Sequence, residues 1–226
     1  MRLVIRTLLL VLAGALVLQL FFVGRIALGA AVNPQSTTVQ RSQAWQLLRR
    51  GELRWHQQWL ELGRISPHLQ RAVLASEDDA FVSHTGVDWK AIRRAWQRNR
   101  EGSRTLRGGS TVTQQLAKNL LLSGERSWLR KAQELVLAWE LELLLGKHRI
   151  LELYLNTAEW GSGVFGAEAA ARHYFGKSAT GLTRWEAARL AVMLPDPRGF
   201  ELQPSSSYLE RRTRSIMARM HRTQLP

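Results

Sequence analysis

A short acidic stretch in an otherwise basic chain contains the residues best suited to acid–base chemistry. Residues 76–88 (SEDDAFVSHTGVD) hold four carboxylates and one histidine. Apolar and small residues recur at helical spacing over residues 69–80, and this spacing places Glu77 on the face that packs toward the core. A carboxylate there is either paired or has a raised pKa, which suits a general base. These residues alone leave catalysis by Glu77 and simple capping or pairing with an arginine equally open.

A second carboxylate with unusual neighbours is Glu134. Helical spacing places Arg130 one turn before it on the same apolar line, and Lys131 lies next to Arg130. Because an Arg–Glu pair is costly to bury, it indicates either a structural ion pair or part of a site. Both interpretations stay open on the residues themselves.

Capping residues indicate where the helices that carry these side chains begin. The predicted starts are Ser66 followed by Pro67, Asp88, Thr111 with Gln114 in capping-box spacing, and Ser127. The helix from Ser127 is predicted to end at Gly146 and to be the longest of the chain. Hardly any segment alternates with period two, so the fold is predicted to be mainly α.

Two glycine-containing segments need separate interpretation. An ordinary capped helix explains Thr111 and Gln114, but a helix N-terminus behind the glycine pair ending at Gly109 is also a ready anion site. Residues 161–166 (GSGVFG) match G-x-G-x-x-G literally, yet a helix precedes them and no βαβ unit surrounds them. They are predicted to form a tight turn before an Ala-rich helix over residues 167–174.

Composition restricts the class of partner. The 226-residue chain has a net charge of +14, which implies nucleic acid, an anionic membrane surface or a phosphorylated substrate. It contains no cysteine, so disulfides and thiolate metal ligands are excluded. Eighteen consecutive uncharged residues over 7–24 are long enough to span a bilayer, although a cleaved signal peptide is the rival interpretation. We favour an uncleaved anchor, which puts the body outside the cytoplasm and excludes nucleic acid.

These features predict a domain organisation. Residues 1–6 form a cytoplasmic N-terminus, 7–32 the transmembrane anchor, 33–64 a linker and juxtamembrane segment, and 65–226 one globular domain. The Arg- and Trp-rich residues 41–64 suit either the lipid headgroup layer or an amphipathic helix packed on the domain. The arginines of residues 93–107 form either a solvated face or a surface for headgroups or a pyrophosphate, and residues 98–109 are predicted to be mobile.

Five blocks over roughly residues 64–200 resemble the peptidoglycan glycosyltransferases, the domain shared by class A penicillin-binding proteins and monofunctional biosynthetic transglycosylases. The blocks, in the family's order, are E77-D-x-x-F-x-x-H-x-G-x-D88, G109-S-T-V-T-Q-Q-L-x-K-N119, R130-K-x-x-E134, R149-I-L-E-x-Y-L-N156, and E186-A-A-x-L-A191 with Leu194-Pro195. Val112 and His148 depart from the usual pattern without touching residues assigned to chemistry. The form of residues 156–166 resembles the monofunctional branch, and no Ser-x-x-Lys or Lys-Thr-Gly motif of a transpeptidase is present.

The resemblance implies a lysozyme-like helical glycosyltransferase domain that polymerises lipid II. Glu77 would be the general base that takes the proton from the acceptor's 4-hydroxyl. That oxygen would attack the anomeric carbon of the growing glycan strand, with inversion and release of undecaprenyl diphosphate. Glu134 would be the second essential acid, and Arg130, Lys131 and Lys118 would cluster around the pyrophosphate.

The remaining implications concern binding and location. The residues carried over as substrate-binding are Asp78, Phe81, His84, Gly109, Ser110, Thr111, Gln114, Gln115, Lys118, Asn119, Arg130, Lys131, Arg149 and Asn156. No cofactor is required, although a divalent cation such as Mg or Mn could assist at the diphosphate. The chain would be a single-pass protein of the inner (cytoplasmic) membrane with its catalytic domain on the periplasmic face. Cell-wall synthase or division proteins are the expected partners.

Two alternative functions make different demands on these residues. A lytic enzyme on a related fold would cleave glycan strands, but a second carboxylate set among Arg and Lys favours a diphosphate leaving group. A non-catalytic basic scaffold would have no use for Glu77 and Glu134 together on core-facing positions.

Overall fold

Helices make up most of the chain, as the sequence predicts. The computed structural model describes residues 1–52, 54–100, 109–122, 124–125 and 127–226. The helices there are α1 (Arg2–Ala31), α2 (Thr38–Arg49), α3 (Pro67–Glu77), α4 (Trp89–Arg100), α5 (Val112–Leu121), α6 (Trp128–Leu144), α7 (Lys147–Thr157), α8 (Ala167–Phe175), α9 (Arg184–Met193), α10 (Pro197–Leu202) and α11 (Ser207–Arg219). The strands are β1 (His56–Gln57), β2 (Glu159–Gly161) and β3 (Val164–Phe165). Most of the segment that we predicted to be mobile, residues 101–108, lies outside the described residues.

The predicted helix starts are all confirmed by side-chain caps. Ser66 Oγ accepts a hydrogen bond from the His68 backbone N–H at 3.3 Å, and Asp88 Oδ1 accepts one from Ala91 at 2.8 Å. A reciprocal capping box begins α5, and Ser127 Oγ accepts from the backbone N–H of Arg130 at 3.1 Å. Caps are local in sequence, which is why their spacing predicts them.

The prediction of the longest helix was wrong. The apolar N-terminal helix α1 has 30 residues, whereas the helix that Ser127 caps has 17. It ends at Leu144 because Leu145 is already extended, with φ −121° and ψ 135°. The predicted anchor over residues 7–32 lies almost wholly within this helix, which begins at Arg2 and ends at Ala31.

The G-x-G-x-x-G segment forms a hairpin rather than a nucleotide site. β2 runs antiparallel to β3, and β1 runs parallel to β3 on its other edge. Gly163 turns the chain between β2 and β3 with φ 73°, and a Cβ there would lie 1.9 Å from the carbonyl oxygen of Arg54. The tight turn before α8 is therefore confirmed. The strands of two or three residues were missed, since they are too short to show periodicity.

Two helical layers hold the core and the site. α3 packs against α9 and α11, while α5 packs against α6 and α7. The bulkiest fully buried side chains include Trp160, Tyr154 and Phe81. This packing brings the C-terminal end of α3 against α5, so that the acidic stretch faces the glycine–serine segment before α5.

Helix α1 is the one helix among the described residues that is long and apolar enough to cross a membrane. Its residues 2–18 are exposed, and its second half docks on the body. The Gln19 side chain hydrogen-bonds to Gln133 and Glu140 of α6, and Phe22 and Ile26 are buried.

The segment after α1 is also packed on the body. Arg149 Nε donates to the Gly29 carbonyl oxygen at 3.0 Å, beside the end of α1. In α2, Leu47 is buried and the Thr38 hydroxyl donates to the Leu120 carbonyl oxygen at 3.0 Å. Of the two interpretations of residues 41–64, this packing supports the amphipathic helix. The predicted domain boundaries themselves stay a prediction.

Candidate active site

Glu77 is the last residue of α3 and lies half-buried at the junction of the two layers. Its carboxylate accepts hydrogen bonds from Gln115 Nε2 at 2.9 Å and from Ser76 Oγ at 3.2 Å. Burial raises the pKa of Glu77, while these two donors and the positive charge of Arg212 oppose that rise and the charge of Asp78 adds to it. A carboxylate with a raised pKa and a lone pair near a cavity can act as a general base.

The side-chain amide of Gln115, which donates to Glu77, is itself held by a hydrogen bond from Tyr154. The Tyr154 hydroxyl, on α7, donates to Gln115 Oε1 at 2.9 Å. Tyr154 is fully buried, and burial raises the pKa of its hydroxyl well above the usual range, with Glu77 and Asp78 adding to the rise. Sequence reasoning quoted Tyr154 inside a motif without giving it a role. Its sole signal was a tyrosine among the apolar positions of a helix.

A cavity of about 220 Å³ opens beside Glu77. It is lined by Glu77, Asp78, Asp79, Ala80, Asp88, Ala91, Arg94, Gly109, Ser110 and Thr111. The acidic stretch and the glycine–serine segment before α5 therefore form opposite walls of one pocket. Three residues predicted to bind substrate, Gly109, Ser110 and Thr111, lie on the wall that faces Glu77.

Asp78 fills the N-terminus of α5. Its Oδ2 accepts a hydrogen bond from the Val112 backbone N–H at 2.9 Å, and its Oδ1 lies 2.9 Å from His84 Nε2. We predicted an anion site at this helix end, and an anion from the chain itself is bound there. The Phe81 ring is buried under Lys147 Nζ, which lies 4.3 Å from the ring centre. The contacts of Asp78, His84 and Phe81 are thus structural, and their binding to substrate stays a prediction.

Gly86 ties this loop to α5 and α6. The Thr111 hydroxyl donates to the Gly86 carbonyl oxygen at 2.6 Å. Gly86 has φ 88°, and a Cβ there would lie 2.9 Å from the carbonyl oxygen of Ala138. A side chain at this position would be strained and would also collide with α6.

Glu134 lies on α6 within a cluster of cations. It is 3% exposed, and its carboxylate accepts from Arg130 Nη1 at 2.9 Å and from Lys131 Nζ. Lys131 Nζ also donates to Ser110 Oγ at 3.1 Å. Ser110 lines the Glu77 cavity, so it links that cavity to the cation cluster.

The other residues predicted to bind substrate are distributed over the body. Gln114 is buried and its side chain completes the α5 capping box. Lys118 and Asn119 lie half-buried further along α5. Asn156 is fully buried, and its amide bonds to the backbone of Leu60 at 2.8 and 2.9 Å. The structure brings Gly109, Ser110, Thr111 and Gln115 to Glu77, and Arg130 and Lys131 to Glu134. Asn156 and Arg149 make structural contacts elsewhere, and their binding roles stay predictions.

One further residue near Glu77 was missed entirely. Arg212 projects from α11 and acts on Glu77 through its charge. Nothing in its neighbourhood distinguishes it from the other arginines of that basic helix, so the sequence offers no signal. The adjacent C-terminal segment also contacts the acidic stretch, because the Thr223 hydroxyl donates to Asp79 Oδ1 at 2.8 Å.

The arrangement can combine proton removal with stabilisation of an anion. The Glu77 carboxylate lines the cavity, where its raised pKa would suit a base, and Arg130 and Lys131 supply positive charge beyond Ser110. Within the described ranges, no group of three or more His, Cys, Asp or Glu is arranged to hold a metal ion.

Comparisons with known proteins match the whole region that holds these residues. A family model described as Transglycosylase matches residues 46–221. A biosynthetic peptidoglycan transglycosylase of Paraburkholderia phytofirmans is 50% identical over 209 residues, which cover 92% of this chain and 87% of that relative. A protein of the same description from Burkholderia orbicola is 49% identical over 218 residues, covering 96% of this chain and 89% of that relative.

Proposed function

The chain belongs to the transglycosylase family, and we propose that it polymerises lipid II into β-1,4-linked glycan strands. It is a glycosyltransferase of peptidoglycan synthesis with a lysozyme-like helical domain and one N-terminal apolar helix. Beyond this family membership, we propose lipid II as the substrate, inversion at the anomeric carbon and release of undecaprenyl diphosphate. Transpeptidation is not part of it.

The observation that carries the proposal is the shared contact of Ser110. This residue lines the cavity beside Glu77, and its hydroxyl accepts a hydrogen bond from Lys131, which also binds Glu134. A base and a cation cluster so connected suit a displacement in which a proton leaves at one end and a diphosphate at the other. A plain hydrolase would not need the cations.

The proposed reaction begins at Glu77. Its carboxylate takes the proton from the 4-hydroxyl of the acceptor, and that oxygen forms a bond to the anomeric carbon of the donor strand. The bond between this carbon and the diphosphate oxygen breaks from the opposite face, which inverts the configuration. The proton remains on Glu77 until it passes to solvent.

The leaving diphosphate needs positive charge. Arg130 and Lys131 already lie together, held by Glu134, so no reorganisation is needed when charge develops. Lys118 is proposed to join them, and a divalent cation could assist at the same diphosphate without being required.

The proposed location follows from the apolar helix and the substrate. Helix α1 fits a single-pass anchor, and a lipid-linked substrate has to be met at a membrane surface. We place the anchor in the inner membrane with the catalytic body on the periplasmic face. Synthase or division proteins would then be reachable partners.

The test is polymerisation by the purified full-length chain supplied with lipid II, with products resolved by glycan length. We expect long strands with the native chain and at least about a hundredfold less product with Glu77→Gln, while circular dichroism stays unchanged. Product from the Gln variant at a near-native rate would remove Glu77 as the base. Shortening of preformed glycan would support the lytic alternative instead.

Glu159→Gln is the matched control for this test. Glu159 is also half-buried, and burial raises its pKa as it does for Glu77, but it pairs with Arg198 at 2.8 Å. It is not among the residues that line the cavity. Its replacement should keep polymerisation near the native rate, because Glu159 does not line the cavity, while loss of the pair with Arg198 should lower stability.

A further inference from the structure

We propose that Tyr154 is a positioning residue, which holds the Gln115 amide as a hydrogen-bond donor to Glu77 and so keeps Glu77 ready to accept a proton. The inference rests on the proposed role of Glu77. It adds a residue to which neither the family motifs nor the comparisons assign a function. Tyr154 acts through Gln115 and does not line the cavity.

The geometry is a chain of two hydrogen bonds across three helices. Tyr154 on α7 donates to Gln115 Oε1 at 2.9 Å, and Gln115 Nε2 on α5 donates to Glu77 Oε2 at 2.9 Å, at the end of α3. Tyr154 is 1% exposed, so water does not compete for its hydroxyl. The phenol is the one hydrogen-bond donor described for Gln115 Oε1.

The direction of the amide follows from this chain. An ionised Glu77 accepts only, so Gln115 must present its NH₂ group to it and its oxygen to Tyr154. If Glu77 is protonated, it gains most by donating its O–H to the amide oxygen, which requires the amide to flip. A flip would take the acceptor away from the buried Tyr154 hydroxyl and leave that donor unsatisfied. Tyr154 therefore opposes the protonated form of Glu77.

Other charged groups face Glu77 and must be counted. Asp78 lies beside it on the chain and raises its pKa, while Arg212 on α11 lowers it. Three further charged residues line the cavity: Asp79 and Asp88 from the acidic stretch, and Arg94 from α4. None of these groups changes when the Tyr154 hydroxyl is removed, so the change isolates the amide.

The expected effect of Tyr154→Phe is a shift in pH dependence. The free amide can flip toward protonated Glu77, which raises the pKa of Glu77 further. Because the base must be ionised to work, the acidic limb of the rate profile should move to higher pH by about half to one unit. On that limb kcat should fall about three- to tenfold at a given pH, with KM unchanged, and the rate should recover on the alkaline side.

Tyr174→Phe is the matched control. Tyr174 donates its hydroxyl to the Trp160 carbonyl oxygen at 2.9 Å, and burial raises its pKa also, but it touches neither Glu77 nor Gln115. Tyr174 is only partly buried, so its variant should lose no more thermal stability than Tyr154→Phe. Only the Tyr154 variant should move the pH profile.

Initial rates of the full-length chain on lipid II, measured from pH 5 to 9, test the inference. A uniform loss at every pH, or an unmoved acidic limb, would overturn it and leave Tyr154 as a packing residue. Infrared titration of the Glu77 carboxyl, isolated by subtracting the Glu77→Gln spectrum in each background, gives a second readout without turnover. An unshifted titration there also overturns it. Failure of Glu77→Gln to lose activity would instead reject the proposed base.

Discussion

Glu77 and Glu134 are both acidic residues set against the core, but their surroundings are opposite. Glu77 accepts hydrogen bonds from two neutral side chains, and Arg212 acts on it through charge alone. Glu134 is held by two cations that come from its own helix at i−4 and i−3. Glu77 is the proposed base, and Glu134 is paired so that it holds Arg130 and Lys131 in place.

Burial of a carboxylate does not by itself determine its chemical role. Among the described residues, Glu77 has no cationic hydrogen-bond donor and burial raises its pKa, whereas Glu134 accepts from two cations of its own helix. Substitutions that separate activity from stability can therefore test whether Glu77 and Glu134 have different roles.

The largest effect should come from the cations of the Glu134 cluster. Arg130→Ala or Lys131→Ala should reduce polymerisation of lipid II about 10²- to 10³-fold, because each removes preorganised charge from the leaving group. The control is Arg172→Ala, since Arg172 pairs at i,i+4 with the buried Glu168 on α8. We expect that variant to lose stability and keep activity. Equal loss of activity and stability at Arg130 and Lys131 would make them structural ion pairs.

Glu134→Gln should have the largest effect on stability. It leaves Arg130 and Lys131 without their anionic partner, which should lower the free energy of unfolding by about 2 kcal/mol, less than a fully buried pair because Lys131 is partly solvated. Thermal or urea unfolding in detergent measures this loss. A Gln variant as stable as the native chain would show that the cations do not depend on Glu134.

Asp78→Asn tests the anion at the N-terminus of α5. The substitution weakens the bonds to the Val112 N–H and to His84, so the free energy of unfolding should fall by about 1 kcal/mol. The neighbouring Asp79→Asn is the control, because Asp79 is exposed and bonds to the Thr223 hydroxyl. If both substitutions cost the same, Asp78 is not stabilising α5.

The smallest effect has the opposite sign. The pKa of Glu77 is raised in the folded chain above its usual value of 4.5, so the folded state binds the proton more tightly. This favourable contribution is complete below that value and is lost as pH rises through the folded pKa. Glu77→Gln should thus be more stable than the native chain at pH 7.5 and equal to it near pH 4. Thermal melts of both proteins at the two pH values measure this difference. A Gln variant less stable than the native chain at pH 7.5 would contradict it.

Local features of the site were predictable from the sequence, and long-range contacts were not. Caps at Ser66, Asp88, Thr111 and Ser127 follow from neighbours within a few positions, and so does the pairing of Glu134. The bond from Tyr154 to Gln115 joins residues on different helices, 39 positions apart in the chain. Such a contact depends on how α5 and α7 pack, which periodicity does not specify.

Long-range packing also decides what binds at the N-terminus of α5, so the sequence predicted an anion site there but not which anion fills it. The glycines and Thr111 indicated a helix N-terminus that could take an anion. That Asp78 occupies it depends on a loop closed over 34 positions. Arg212 is a still harder case, since one arginine among several on α11 has no distinguishing neighbour.

The docking of α1 on the body limits how far the body can lie from the membrane that α1 is proposed to span. Every residue of segment 2–18 is exposed, and this segment extends about 25 Å at about 1.5 Å per residue, which is less than the roughly 30 Å thickness of a hydrocarbon core. Beyond it, buried residues such as Phe22 and Ile26 are interspersed with exposed ones such as Phe21 and Leu28. From Gln19 onward α1 packs on the body, where Gln19 hydrogen-bonds to α6 and Phe22 and Ile26 are buried. Within the described part of the chain, no flexible linker therefore separates residues 2–18 from the docked part of the helix. With α1 as the proposed single-pass anchor, we expect the docked side, where Val136, Trp139 and Leu143 of α6 are exposed, to lie at the level of the headgroups. A thicker bilayer would then be expected to submerge that side.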